Sequence, residues 1–332
     1  MEKREPVSSG ASGGEPKTAQ KPLVSIVCPC YNEEAMLPLY FDKMQSVVFS
    51  SLAQYDFELI LINDGSKDRT LPILRDLAQK DTRVKYISFS RNFGKEAAMY
   101  AGLKHAKGEY VCVMDCDLQD PPEMIPSMLE RLSADDCDCV ATRRVTRKGE
   151  PKIRSAFARA FYRIINRISD TEFVDGARDF RMMRRCVTDA VLELGEYHRF
   201  SKGIFMWVGF DTVWLEYENI ERAAGETKWS FWKLTKYAIE GIVSFSTAPL
   251  QIATAVGSII SVISLLYMVV RVIIAMIWGN PVAGYPSLLA IMLTLGGFVL
   301  LALGIIGEYV ARTYMQVKQR PIYIQKESNI QK

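Results

Sequence analysis

The chain has 332 residues, a formal net charge of +3 and 49% hydrophobic residues. That length accommodates one catalytic-sized domain plus an appendage, and so small a net charge says little about partners by itself, with no nucleic acid expected among them. Two histidines, His105 and His198, and seven cysteines without a C-x₂-C pair argue against a zinc site of the usual spacing; the cysteines read as free thiols in a reducing compartment.

Residues 1–21 are rich in Ser, Gly, Pro and charge and lack the apolar core of a signal peptide, so they read as a disordered tail. Residues 23–30 (LVSIVCPC) predict a buried strand, and Tyr31-Asn32-Glu33-Glu34 opens a helix to about Ser50. A second strand covers 57–62, followed by the turn Asn63-Asp64-Gly65-Ser66 and a helix that Asp68 or Ser66 can cap. A third strand, 84–89, leads through Arg91-Asn92-Phe93-Gly94-Lys95 into a helix over about 95–106. A fourth strand covers 110–114 and ends in Asp115-Cys116-Asp117, with Pro121-Pro122 soon after. Alternating strands and helices predict a doubly wound, mostly parallel α/β sheet. Its strand-end loops then converge on one edge, where such sheets bind ligands.

The region 123–228 is less regular. A strand is expected at 138–141, followed by a basic segment: Arg143 to Arg167 holds nine Lys/Arg and one acid, Glu150. Within it, residues 152–168 place Ile153, Phe157, Phe161, Ile164 and Ile168 at helical spacing, a basic amphipathic helix suited to packing or to an anionic membrane surface. Residues 229–249 have an interfacial character, with Trp229, Trp232 and Tyr237 beside lysines.

Residues 252–278 and 287–307 are long apolar stretches, the first interrupted by Arg271, whose charge would snorkel outward. At about 1.5 Å per residue the second spans about 31 Å, a bilayer's hydrocarbon thickness. The stretch between them is short and uncharged, so 250–310 predicts a transmembrane hairpin with a basic tail at 311–332. Lys228, Lys233 and Lys236 before it and Arg312, Lys318 and Arg320 after it put both flanks, both termini and the preceding domain in the cytoplasm. Small residues at Gly296, Gly297, Gly304 and Gly307 permit close helix contact and a homo-oligomer.

The strand-end residues together fit a nucleotide-sugar. Pro29 and Tyr31 can flank a base, Glu33 can accept from ribose or base, and Asp64 can accept from the base, with Gly65 allowing close backbone approach. Lys95 can neutralise phosphate, and Asp117, with or without Asp115, offers hard oxygen to Mg²⁺ or Mn²⁺ holding a diphosphate. For an anionic acceptor, Arg143, Arg147, Arg199, Lys202 and Lys228 are candidate phosphate ligands.

The segments VCPCYNEE, NDGSKDRT, SRNFGKEAA and MDCDLQDPPE, in this order, resemble family-2 inverting glycosyltransferases of the GT-A fold. The resemblance is nearest to polyprenyl-phosphate (bactoprenol) glycosyltransferases, relatives of dolichyl-phosphate mannose synthase. It continues through 175–185, 199–210, 221–234 and 305–323, about residues 22–325 in all. It implies a GT-A domain over 22–228, with Gln119 in the nucleotide-sugar site. It also implies transfer of a sugar, UDP-linked glucose or N-acetylglucosamine, to undecaprenyl phosphate at a bacterial cell membrane. The resemblance further implies a catalytic acid within 175–181: Asp179 matches the Gly-Asp-Phe-Arg pattern of the bactoprenol subgroup, and Asp175 an acid of the mannose synthases. A processive polysaccharide synthase would carry more spans and a Q-x-x-R-W motif, and neither is found; a silent nucleotide-binding membrane scaffold is the other alternative.

Overall fold

The computed structural model describes residues 21–145, 162–169, 171–218, 242–278 and 284–330. Its centre is an eight-stranded sheet of β1 (Leu23–Cys30), β2 (Asp56–Asn63), β3 (Val84–Phe89), β4 (Tyr110–Val113), β5 (Cys139–Arg144), β6 (Ala177–Arg184), β7 (Thr212–Tyr217) and β8 (Gln325–Ser328). The spatial order is β7-β5-β6-β4-β1-β2-β3-β8. Strands β1 to β4 run parallel, while β6 lies antiparallel between β4 and β5. The order reverses beside β1, which puts a crevice at the carboxyl ends of β1 and β4.

β1 is buried on both faces, which is why it reads as a continuous apolar run. One face packs on α1 (Leu37–Met44), α2 (Thr70–Lys80) and α4 (Ile125–Ser133) through Leu37, Tyr40, Leu74 and Leu129. The other packs on α3 (Lys95–His105), α5 (Arg185–Glu193) and α6 (Ser201–Trp207) through Ala98, Met99, Val187 and Ile204. At about 1.5–3 kcal/mol for each fully buried aliphatic side chain, these two layers supply the driving force for the domain. Gly102 lets α3 lie flat on the sheet, since a Cβ there would stand 2.2 Å from Val27 Cγ1.

The first helix begins later than its composition suggests. Asn32 takes a left-handed conformation (φ 53°), and α1 starts only at Leu37, next to Pro38, before widening into a π turn over Gln45–Phe49. Residues 31–36 are held instead by the next loop. Asn32 N–H donates to Ser66 Oγ (3.0 Å), Glu33 N–H to Thr70 Oγ1 (2.9 Å) and Glu34 N–H to Asp68 Oδ2 (3.1 Å). Asp68 also accepts the Thr70 N–H that opens α2 (3.0 Å).

Two apolar helices, α7 (Ala248–Trp278) and α8 (Tyr285–Val317), follow, and each holds a candidate membrane span, Ala248–Tyr267 and Thr294–Val317. Their surfaces expose Ile263, Leu266, Leu300 and Leu303, side chains that water would not tolerate in such number. The base of the pair is tied to the domain. Tyr309 Oη donates to Ser246 O (2.6 Å), Arg312 Nη1 to Ser244 Oγ (2.8 Å) and Gln316 Nε2 to Gly195 O (3.0 Å). Most of the basic helix expected at 152–168, most of the interfacial segment 229–249 and the Arg271 side chain lie outside the described residues. The helical residues 162–168 bury Ile165 against Phe173 and Phe200.

The chain beyond α8 does not end as a tail. Tyr323 stacks on Phe89 (4.9 Å between centroids), and β8 pairs antiparallel with β3 as the sheet's edge. Glu327 accepts from Arg75 Nη2 (2.5 Å) and Tyr86 Oη (2.6 Å), and Asn329 Oδ1 accepts the Tyr86 N–H (2.7 Å). No apolar run marks this strand, because an edge strand needs only backbone pairing and one covered face. Deleting residues 322–332 is therefore expected to destabilise the catalytic sheet by about 2–4 kcal/mol, read as a lower denaturation midpoint of the detergent-solubilised protein.

Candidate active site

The register of β6 against β4 assembles the site. Val113 pairs with Arg181, so continuing the ladder two residues brings Asp115 level with Asp179. Two carboxylates facing each other would repel. Lys95, at the start of α3, fills the gap: its Nζ lies 2.8 Å from Asp115 and 2.5 Å from Asp179. Burial opposes the lysine's charge, but the two acids outweigh it and raise its pKa. Burial likewise opposes ionisation of Asp179, yet Lys95 and Lys202 hold its carboxyl well below the usual carboxylate range. Asp115 moves the other way: burial pushes it up, against the pull of Lys95.

Beside this triad, Asp120 is fully buried and accepts from Arg178 Nε (3.0 Å) and Tyr217 Oη (2.7 Å). Gln119 Oε1 accepts from Arg144 Nη2 (3.2 Å), and Asp117, 8% exposed, accepts the Gln119 N–H (3.1 Å). Arg181 is 1% exposed; its guanidinium stacks on the Phe205 ring (3.9 Å) and donates to Arg178 O (3.1 Å). With Lys202, Arg181 lines a small cavity of about 30 Å³ whose other walls include Tyr162, Phe173 and Trp214.

The loop after β2 braces the approach to Lys95. Asp64 is 3% exposed and accepts the N–H groups of Phe93 (2.6 Å) and Gly94 (3.0 Å), so its carboxylate fixes the loop that leads to Lys95. Burial raises its pKa from 3.8 to about 6 against those two bonds. Gly65 (φ +63°) is needed for a close approach, but by the chain itself: a Cβ there would meet the Arg91 carbonyl carbon at 2.3 Å. Pro29 at the end of β1, and Tyr31 and Glu33 just after it, lie half-buried at the same edge.

The residues expected at an acceptor phosphate disperse. Arg143 sits beside Glu216 in the β5–β7 register and forms an ion pair with it. Arg199 is buried; its guanidinium donates to the carbonyls of Val191 in α5 and Leu194 just after it, and lies over the Tyr100 ring (4.7 Å). Among the described members of this group, Lys202 is the one placed on the cavity, and it acts on Asp179. Arg147 and Lys228 are outside the described residues. Asp175 is exposed in the turn before β6, while Asp179 is at the triad.

Sequence reading passed over Glu96, Asp120, Arg178 and Arg181. Glu96 accepts from the Ser201 N–H (2.9 Å) and hydroxyl, binding α3 to α6. Two residues on, Gly203 lets the Phe245 ring approach, with a Cβ there only 2.4 Å from Cε2, so the base of the apolar helices touches the element that Glu96 holds. The sequence signal was faint: Arg178 and Arg181 flank Asp179 in an arginine-rich strand that resembles any surface strand until its neighbours are known.

A family model, glycosyl transferase family 2, matches residues 25–192. The chain belongs to that family. The SfII prophage-derived bactoprenol glucosyl transferase of Shigella flexneri is 44% identical over 92% of this chain and 98% of its own. The prophage bactoprenol glucosyl transferase homolog of Escherichia coli K12 is 42% identical over 91% and 98%. A solved structure of glucosyl-3-phosphoglycerate synthase from Mycobacterium tuberculosis covers 67% of this chain and 78% of that one, at 17% identity and a TM-score of 0.44. The protein is thus a family-2 glycosyltransferase with a GT-A-type sheet, and Lys95, Asp115 and Asp179 come together at the carboxyl edge of its parallel strands.

Two predictions follow the geometry. Replacing Lys95 with Met leaves Asp115 and Asp179 opposed. Because Lys95 is 39% exposed, the cost is roughly 1–3 kcal/mol rather than that of a wholly buried pair. Lys95→Met combined with Asp179→Asn recovers part of it, measurable by chemical denaturation. Glu96 is pushed by burial, with help from Asp179, from 4.5 to about 7. The fold therefore binds its proton more tightly than the unfolded chain does, and stability from this group is full below pH 4.5 and lost as pH rises to about 7. Glu96→Gln is expected to flatten that part of the stability–pH curve relative to the parent.

Proposed function

We propose that this glycosyltransferase moves glucose, with inversion, from UDP-glucose to undecaprenyl phosphate at the cytoplasmic membrane face, giving a polyprenyl-phosphate sugar for envelope glycosylation. The observation that carries this reading is the extent of the kinship: identity of 44% to a bactoprenol glucosyl transferase runs over 92% of the chain, far beyond residues 25–192. The two apolar helices support it, because a polyprenyl tail cannot leave the bilayer and the transferring site must stand at the interface.

The donor set at the β4 edge fits a hard divalent ion. Asp115 and Asp117 offer only carboxylate oxygen there, and Asp115 is engaged by Lys95, which makes Asp117 the principal ligand for Mg²⁺ or Mn²⁺. Such an ion, when bound, neutralises the leaving diphosphate.

The acceptor, a phosphate monoester with a second pKa of about 6, is already mostly dianionic at neutral pH. The enzyme's larger task is to offset repulsion between two anions. Asp179, held ionised by Lys95, is a poor proton acceptor, which supports a role in orienting Lys95 and the acceptor rather than removing a proton. Lys202 and Arg181, on the adjoining cavity, supply positive charge from the side of the apolar helices' base.

Membranes containing the protein, given radiolabelled UDP-glucose and undecaprenyl phosphate, are expected to yield an organic-extractable labelled lipid. Asp117→Ala lowers that rate by about a hundredfold or more. Absence of labelled lipid with the parent protein removes the reading, and unchanged synthesis by Asp117→Ala removes the metal assignment. A panel of other UDP-sugars in the same assay tests the choice of glucose.

A further inference from the structure

Three cysteines that are far apart in sequence meet behind the active site. Cys28 and Cys30 are two apart on β1 and so project from the same face, toward α1 and α4. Cys116 reaches them from the loop after β4, the parallel neighbour of β1. Their sulfur atoms all lie within 4.8 Å of one another, and the residues are no more than 2% exposed. Tyr40 of α1 is fully buried, and its hydroxyl has no hydrogen-bond partner among the described residues. Tyr40 belongs to the same buried cluster as Cys28, Cys30, Cys112 and Cys116. A buried hydroxyl left unpaired costs about 1–3 kcal/mol, which an incoming ligand at this spot would relieve.

We propose that Cys28, Cys30 and Cys116, with the Tyr40 hydroxyl as fourth ligand, form a binding site for one thiophilic cation of the zinc class. Zinc–sulfur bonds of about 2.3 Å in a tetrahedron set sulfur atoms about 3.8 Å apart, within the present spacing. Three sulfurs and one hydroxyl select Zn²⁺ or Cd²⁺ over Mg²⁺ and Mn²⁺, so this site and the carboxylate oxygens of Asp117 divide the ions by softness. As the ion binds, the thiol protons leave to solvent. Cys116 lies between Asp115 and Asp117, so an ion at the sulfurs pins the loop that carries both acids and couples soft-metal load to sugar transfer.

The test uses the full-length protein, reduced and in detergent, with exposed Cys186 replaced by Ser. Titration with Cd²⁺ is expected to raise a sulfur-to-cadmium charge-transfer band that saturates at one ion per chain and persists in excess Mn²⁺. Cys116→Ala and, separately, Cys30→Ala are expected to weaken binding by about tenfold or more, while Cys137→Ala leaves it unchanged. Because a buried alanine could compromise folding, the parent's thermal midpoint is read alongside, and it rises with Cd²⁺ and returns on chelation. A parent that shows no saturable band, or a band that survives in both Cys116→Ala and Cys30→Ala, overturns the proposal. Neither result depends on the identity of the sugar or the acceptor.

Discussion

An ammonium group between two carboxylates is the constraint on which the remainder depends. Asp115 and Asp179 come from adjacent antiparallel strands, and their register leaves them face to face. Without Lys95 the site would carry two opposed negative charges before an anionic donor or acceptor arrived. With it, Asp179 stays ionised and Asp115 is drawn toward the lysine, which leaves Asp117 at the outer end of the acidic triplet. Much of the surrounding structure exists to put Lys95 there: Asp64 grips the loop before it, Gly65 admits that loop, and Glu96 fixes the start of α3 to α6.

The same helix start links the site to the two apolar helices. From Lys95 and Glu96 the contacts run through Ser201 and Gly203 to Phe245, and from Ser244 and Ser246 to Arg312 and Tyr309 of α8. After α8 the chain returns to the far edge of the sheet as β8. The domain is thus fastened to the base of the apolar pair at two places, one beside the active site and one at the opposite edge. An enzyme whose acceptor is confined to the bilayer needs its site at a fixed height and tilt, and two attachments fix tilt where one would leave a swivel.

The sequence by itself determined the parallel α/β core, because β1 to β4 are buried on both faces and continuous apolar runs have no other use at that length. It determined the two apolar helices for the same reason of uniform hydrophobicity, and the acidic triplet because a strand that ends in carboxylates is legible locally. Tertiary structure decided the partners. Arg199 and Arg143 looked available for phosphate, yet one is turned to backbone carbonyls and the other to Glu216. Asp64 at the end of β2 was legible as a strand-end acid, and only the fold shows that it also holds the loop beside it. β8 was invisible because an edge strand borrows its order from its neighbour. The spacing of the cysteines argued against a zinc site, and it could not show that Cys28, Cys30 and Cys116 meet, since spacing along the chain measures only local loops; β1 and β4 lie side by side in space with about eighty residues between them. Charge and sulfur act through distances of a few ångströms, and those distances are set by strand register, which no single segment of sequence contains.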